Sequence, residues 1–201
     1  MQTPQTATDI AQLYELRGGL SYEGEGISQL QHAWQCGQLA ASAGADAALQ
    51  LAAWLHDLGH LMTGLAGSPT LDGVDDRHEV LAARALAPLF GPAVSQPVAL
   101  HVQAKRYLVG SRPDYQRGLS PDSLRSLALQ GGAMGAAECE HFLATAFSQA
   151  ALRLRVWDDQ GKRSDWQPAS TGAALAQLKA LMAFCSLGPP QNQHLLRPRA
   201  Q

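Results

Sequence analysis

Apolar residues return at intervals of three and four along almost the whole chain, the spacing of a helix face rather than of a strand. Residues 8–17 give a first short helix that stops at Gly18-Gly19. "SYEGEG" (21–26) reads as a glycine-spaced loop. Ser28 opens the next helix, with Gln31 three residues on in a capping-box arrangement, and Gly44 ends it. Asp46 is placed to cap a helix carrying "LQLAAWLHDLGHL" (49–61), and residues 63–75 read as a loop. Helices are predicted over 75–90, 95–110 and 120–130, with Gly91-Pro92 as a stop, 111–118 as a surface loop, and Ser120-Pro121 opening the third. One long helix is expected over 136–159 and a final amphipathic one over 171–186. Valines are few and polar–apolar alternation is absent, so no strand is expected. The fold class is therefore all-α: a single-domain helical bundle over residues 1–188, with 189–201 expected to be a flexible tail.

Composition narrows the class. Of 201 residues, 46% are hydrophobic, enough for a sizeable core, while only 16% are charged and the net charge is −2. That balance gives no reason to expect a nucleic-acid partner or an anionic membrane surface. The N-terminal "MQTPQTATDIAQ" lacks the charged start and apolar stretch of a signal peptide. No apolar run reaches the roughly 18 residues of a membrane span. Cys36, Cys139 and Cys185 are far apart and odd in number, which suits small buried hydrophobes in a reduced, cytoplasmic setting rather than a zinc-thiolate site. The sequence sets no oligomeric state.

One run breaks the apolar pattern. "LAAWLHDLGHL" (51–61) puts His56, Asp57 and His60 among residues that belong in a core. His32, His78 and His101 likewise fall mid-helix among apolar neighbours, as does His141, whereas His194 lies in the tail. A single buried histidine is an ordinary core residue, but each buried imidazole needs partners for both nitrogens. Five of them on four helices point to a shared metal centre, which satisfies several at once. On a continuous helix His56 and Asp57 diverge by about 100°. One carboxylate with two oxygens can then bridge two metals. His60, four residues after His56, is either a further ligand or a group that reaches past the metals to a substrate.

The ordered set His32, His56-Asp57, His78, His101 and Asp158 resembles the HD-domain superfamily of helical metalloproteins in its two-metal form. "SYEGEGISQLQHAWQCG", "LAAWLHDLGHL", "DGVDDRHEV", "LHVQAKRYL", "LSPDSLRSLALQGG" and "LRVWDDQGK" together resemble the glycine-forming 2-amino-1-hydroxyethylphosphonate dioxygenases over roughly residues 20 to 165. The resemblance implies a mixed-valent pair of iron ions. One would be held by His32, His56, Asp57 and Asp158, and the other by His78 and His101 with Asp57 bridging. Imidazole and carboxylate suit iron without excluding zinc or manganese. Spacing alone does not choose between Asp158 and Asp159; the resemblance favours Asp158 and leaves Asp159 facing solvent or supporting the ligands.

The resemblance also implies a small organophosphonate substrate and O2 as co-substrate, with carbon–phosphorus cleavage giving glycine and phosphate. Its phosphonate oxygens would be held by His60, Lys105, Ser123, Ser126, Gln130 and Arg155. Lys105 lies four residues after His101 and Arg155 three before Asp158, so both share a face with a ligand. Ser123, Ser126 and Gln130 form a polar stripe on one helix. Tyr22 would fill a metal position until substrate arrives, and Glu25 would accept the substrate ammonium, with Gly24 and Gly26 easing the loop's movement. Tyr22, Glu25 and His60 are thus the catalytic candidates beyond the metal ligands. The alternative is an HD-type two-metal phosphohydrolase acting on a phosphate ester, which needs the same ligands and anion cradle but neither Tyr22 nor Glu25 in these roles. A third reading, a non-catalytic HD module, could dispense with the ligands altogether.

Overall fold

A computed structural model describes residues 3–22, 25–63 and 69–186. The expected tail over 189–201 lies outside the described residues. Among those described, the chain is all-α: α1 (Ala7–Arg17), α2 (Gln29–Ser42), α3 (Ala47–Leu55), α4 (Leu58–Thr63), α5 (His78–Phe90), α6 (Pro92–Ser111), α7 (Pro121–Leu129), α8 (Ala136–Ala144), α9 (Ser148–Gln160) and α10 (Thr171–Ser186). The only pairing of extended backbone among them is an isolated bridge between Ser21 and Ser28. No described helix is long and apolar enough to cross a membrane.

The three helix starts for which the sequence predicts a capping side chain are capped by it. Asp46 accepts from the Leu49 amide at 2.8 Å and Ser120 from that of Ser123 at 3.3 Å. Ser28 caps the Gln31 amide at 3.1 Å, but the Gln31 side chain does not close the box. It bonds instead to the carbonyls of Arg163 and Trp166, tying α2 to the segment after α9.

Four expectations need correction, each at a helix end. Gly91 ends α5 as expected, but α6 starts at Pro92, where the missing amide is no loss, rather than at residue 95. The surface loop over 111–118 carries one 3-10 turn, Tyr115–Gly118. The long helix over 136–159 breaks at Thr145, whose backbone is extended, and Phe147, at φ 67°, so α8 and α9 are separate. The helix carrying the histidine run ends at His56, and α4 begins anew at Leu58. There the His56 ring bonds back to the Ala53 carbonyl at 2.9 Å, competing for the acceptor that a continuing helix would use. Asp57 therefore lies in a turn rather than on a continuous helix face.

The core is built around α6, which packs on α3, α5, α8 and α9, while α10 covers α1 and α3. Leu51, Leu55, Leu58, Leu61, Leu86, Leu154, Leu178 and Met182 fill it, and Leu100, Ala104, Met134 and Phe142 form a smaller cluster under α8. The start of α5 is pressed onto α4 at Gly59, where a β-carbon would lie 2.1 Å from the His78 carbonyl oxygen. Gly59→Ala is expected to destabilise the fold by roughly 1–3 kcal/mol in chemical denaturation. Gly19→Ala, where a β-carbon meets nothing within 4 Å, is the matched control and should stay near wild type.

Candidate metal centre and anion pocket

Four imidazoles from four elements meet in the core: His32 on α2, His56 at the end of α3, His78 at the start of α5 and His101 on α6, all buried. Each Nδ1 is committed to an oxygen. His32 reaches the Gly161 carbonyl at 2.8 Å, His56 that of Ala53 at 2.9 Å, His101 that of Val98 at 2.7 Å, and His78 the Asp76 carboxylate at 2.9 Å. Carbonyls and ionised carboxylates only accept, so each Nδ1 keeps its hydrogen, and each ring in its neutral form turns the Nε2 lone pair inward. The Nε2 atoms of His32 and His56 lie 3.2 Å apart, as do those of His78 and His101. Two lone pairs at that distance make no hydrogen bond between neutral rings; a cation between them resolves the conflict. Burial holds His32 and His101 below the usual histidine range, which favours the neutral ring, whereas at His56 the carboxylates of Asp57 and Asp158 outweigh burial and raise it.

Asp57 divides the cluster. Its Oδ2 faces His56 at 3.4 Å and His32 at 3.5 Å; its Oδ1 faces His78 at 3.5 Å and His101 at 3.8 Å. Asp158 gives Oδ2 to Arg155 at 2.7 Å and leaves Oδ1, buried and without a hydrogen-bond partner, 3.6 Å from His32 and 3.8 Å from His56. One half of the centre therefore has two imidazoles and two carboxylate oxygens around it. The other has two imidazoles and one carboxylate oxygen, and it opens onto a pocket. Asp159 turns away from the cluster: it accepts from Arg155 and from the Tyr115 hydroxyl. It is a support for Arg155 rather than a solvent-facing residue.

Cys36 also comes near His32, but its thiol points at the Trp157 carbonyl at 3.5 Å, and burial pushes its ionisation well up. It packs as the small hydrophobe expected of it and is a poor thiolate ligand. His141 is exposed on α8 and takes no part. His194 lies outside the described residues.

The pocket, about 40 Å³, is lined by Tyr22, His60, Lys105, Ser123, Ser126, Gln130 and Arg155, together with Asp57, His78, His101 and Asp158. Ser123 and Ser126 project from α7, while Gln130 follows its last turn. Lys105 donates to the Ser126 hydroxyl at 2.7 Å. The Tyr22 ring stacks on His32, centroids 3.9 Å apart. Of the residues expected to bind substrate, Glu25 alone does not line the cavity. Its carboxylate lies behind, 3.8 Å from the Lys162 ammonium.

Two contributors escape sequence reading. Asp76 accepts from His60 at 2.7 Å and from His78 at 2.9 Å, clamping two stacked rings with one carboxylate. Against burial, those two hydrogen bonds hold its carboxyl far below the usual range. The clamp depends on Arg77, whose φ of 49° folds Asp76 back over the start of α5, a conformation no local residue pattern announces. Lys162, the second, donates to Ser123 at 3.3 Å and stands over the Tyr22 ring.

Over 156 residues the chain is 42% identical to hydroxymethylphosphonate dioxygenase of Gimesia maris, an overlap covering 76% of this chain and 78% of the relative. The chain belongs to the phosphonate dioxygenase family. A second member, the 1-hydroxy-2-(trimethylamino)ethylphosphonate dioxygenase (glycine-betaine-forming) of Leisingera caerulea, is 35% identical over 159 residues, covering 79% of this chain and 81% of the relative. No protein-family model matches the chain.

A dianion in the pocket would meet Lys105 and Arg155 from two helices packed on each other, α6 and α9. Burial, then the charge of Arg155, pulls Lys105 down to about 7, so it is only partly charged at neutral pH before an anion arrives. A lowered lysine is a cation below that value and neutral above it. Binding of sulfate, whose charge is constant over this range, should therefore weaken as pH rises through about 7 in calorimetric titration. Lys105→Met should bind weakly and lose this dependence.

Proposed function

We propose that the chain catalyses oxygen-dependent cleavage of the carbon–phosphorus bond of a 1-hydroxyphosphonate. Its substrate in this reading is 2-amino-1-hydroxyethylphosphonate, and the products are glycine and phosphate. One observation carries the reading: a two-lobed His/Asp cluster whose less crowded lobe opens onto a pocket lined by Lys105, Arg155, Ser123 and Ser126. The names of the two relatives support it, since both denote dioxygenases of 1-hydroxyphosphonates.

The donor set fits two metal ions, and iron is the pair proposed. His32, His56, Asp158 and Asp57 Oδ2 would hold one, and His78, His101 and Asp57 Oδ1 the other. When bound, they supply Lewis acidity and the O2 chemistry. The chain supplies the rest. Lys105 and Arg155 set the phosphonate end, with Ser126 held ready by Lys105. Asp76 turns His60 so that Nε2, not Nδ1, faces the pocket. Leu55, Leu58 and Leu61 wall the site from water. The proposed reaction balances without an external reductant: C1 passes from alcohol to carboxylate while one O2 is consumed.

Three outcomes test this. The iron-loaded protein should consume O2 and release phosphate with at least one of hydroxymethylphosphonate and its 2-amino and 2-trimethylamino ethyl counterparts; the 2-amino compound should yield glycine by mass spectrometry. Phosphate release from a phosphomonoester without O2 would instead identify a hydrolase. Asp57→Ala should lose both metals by elemental analysis, since one bridging carboxylate serves both lobes. Asp76→Ala should leave the His32/His56 lobe loaded but weaken metal retention at the His78/His101 lobe by about 10–100-fold.

A further inference from the structure

Resting on the reading above, we infer that Lys162 determines specificity at the carbon end of the substrate by competing with it for Glu25. Lys162 follows α9 by two residues, on the segment where Gly161 holds His32. Its ammonium touches three groups that the site needs. It lies 3.8 Å from Glu25 Oε1, donates to Ser123 at 3.3 Å, and stands 5.6 Å from the centre of the Tyr22 ring. Its side chain is 12% exposed and that of Glu25 17%, so the pair is largely screened from water. Glu25 Oε1 is buried and has no hydrogen bond, so Lys162 is its compensating charge.

This pairing changes what Glu25 can do. Glu25 stands outside the pocket's lining, facing Lys162, so a substrate ammonium meets a carboxylate whose charge is already offset and which must leave the lysine to reach it. A substrate without a cationic substituent leaves the Lys162–Glu25 pair intact. One carrying an ammonium must draw Glu25 away from Lys162. The freed lysine then keeps Ser123 as its partner, one hydrogen bond from the phosphonate end. Lys162 therefore favours hydroxymethylphosphonate relative to 2-amino-1-hydroxyethylphosphonate. Acting through Glu25 and Ser123, it is a positioning residue.

The test is a ratio, in which losses of folding or iron cancel. For each variant, kcat/KM is measured by O2 uptake for the 2-amino substrate and for hydroxymethylphosphonate. Lys162→Met should raise the ratio of the first to the second by about tenfold or more, because an unpaired buried carboxylate remains for the ammonium. The rise should come from KM, with kcat for the 2-amino substrate little changed. Lys162→Arg, which keeps the charge, should hold the ratio near wild type. In Lys162→Met/Glu25→Gln the ratio should fall below that of Lys162→Met alone. A ratio within twofold of wild type in Lys162→Met, or one that falls, overturns the inference. If wild type consumes O2 with no 1-hydroxyphosphonate at all, it is the proposed function that fails.

Discussion

Everything at this site depends on where four Nδ1 hydrogens go. Three backbone carbonyls and one carboxylate accept them, and so four Nε2 atoms face one another at the buried cluster. That is an unfavourable arrangement for bare rings and a favourable one around cations. Three acceptors are local: Ala53, Asp76 and Val98 lie two or three residues before the rings they hold, whereas the Gly161 carbonyl that fixes His32 lies 129 residues beyond it. The aim of His32 is therefore a product of tertiary packing. The end of α9 must seat on α2 before His32 can point correctly, and the Arg163 and Trp166 carbonyls, bound by Gln31 and Gln35, fasten that seat.

Charge is layered across the site in the same spirit. Two buried acids, Asp57 and Asp158, face the imidazoles, and both are held well below the usual carboxylate range. For each, burial works against ionisation and the neighbouring cationic and imidazole groups outweigh it. Arg155 joins the two layers. One side of its guanidinium bonds Asp158, another bonds Asp159, and a third approaches Ser123 at 3.5 Å. Tyr115 holds Asp159 from behind, so the guanidinium plane has little freedom. An arginine fixed this way offers the pocket positive charge without swinging into the cluster.

The sequence shows the residue types and their order well, and the backbone that aims them poorly. His32, His78, His101 and Asp158 are legible because each interrupts an apolar helical run, and helix faces carry Lys105 beside His101 and Arg155 beside Asp158. The all-α class follows from the same periodicity. What stays hidden arises at helix ends. The turn at His56-Asp57 falls inside an unbroken apolar period, since a side chain capturing a carbonyl leaves no trace in the spacing. The break at Thr145–Phe147 is of the same kind. Asp76 is one of two adjacent aspartates in a stretch that reads as loop and helix start, and only the left-handed Arg77 makes it a clamp for His60 and His78.

The two ends of the pocket are built from different material, and this bears on how one site can serve several substrates. In the proposed reading the phosphonate end rests on α6 and α9, which pack on each other in the core, together with Ser123 and Ser126 of α7. The opposite end involves Tyr22 and residues 25–28, where the Tyr22 carbonyl accepts from the Glu25 amide at 2.8 Å, the Tyr22 amide donates to the Ile27 carbonyl at 2.8 Å, and Gly26 sits at φ 73°. A short loop closed by its own hydrogen bonds tolerates change far more cheaply than packed helices. The named relatives differ at this carbon end, one substrate lacking C2 and the other carrying a trimethylated amine, while both keep the hydroxyphosphonate. Rigid helices for the shared group and an adjustable loop for the varied one is the division of labour that such a family requires.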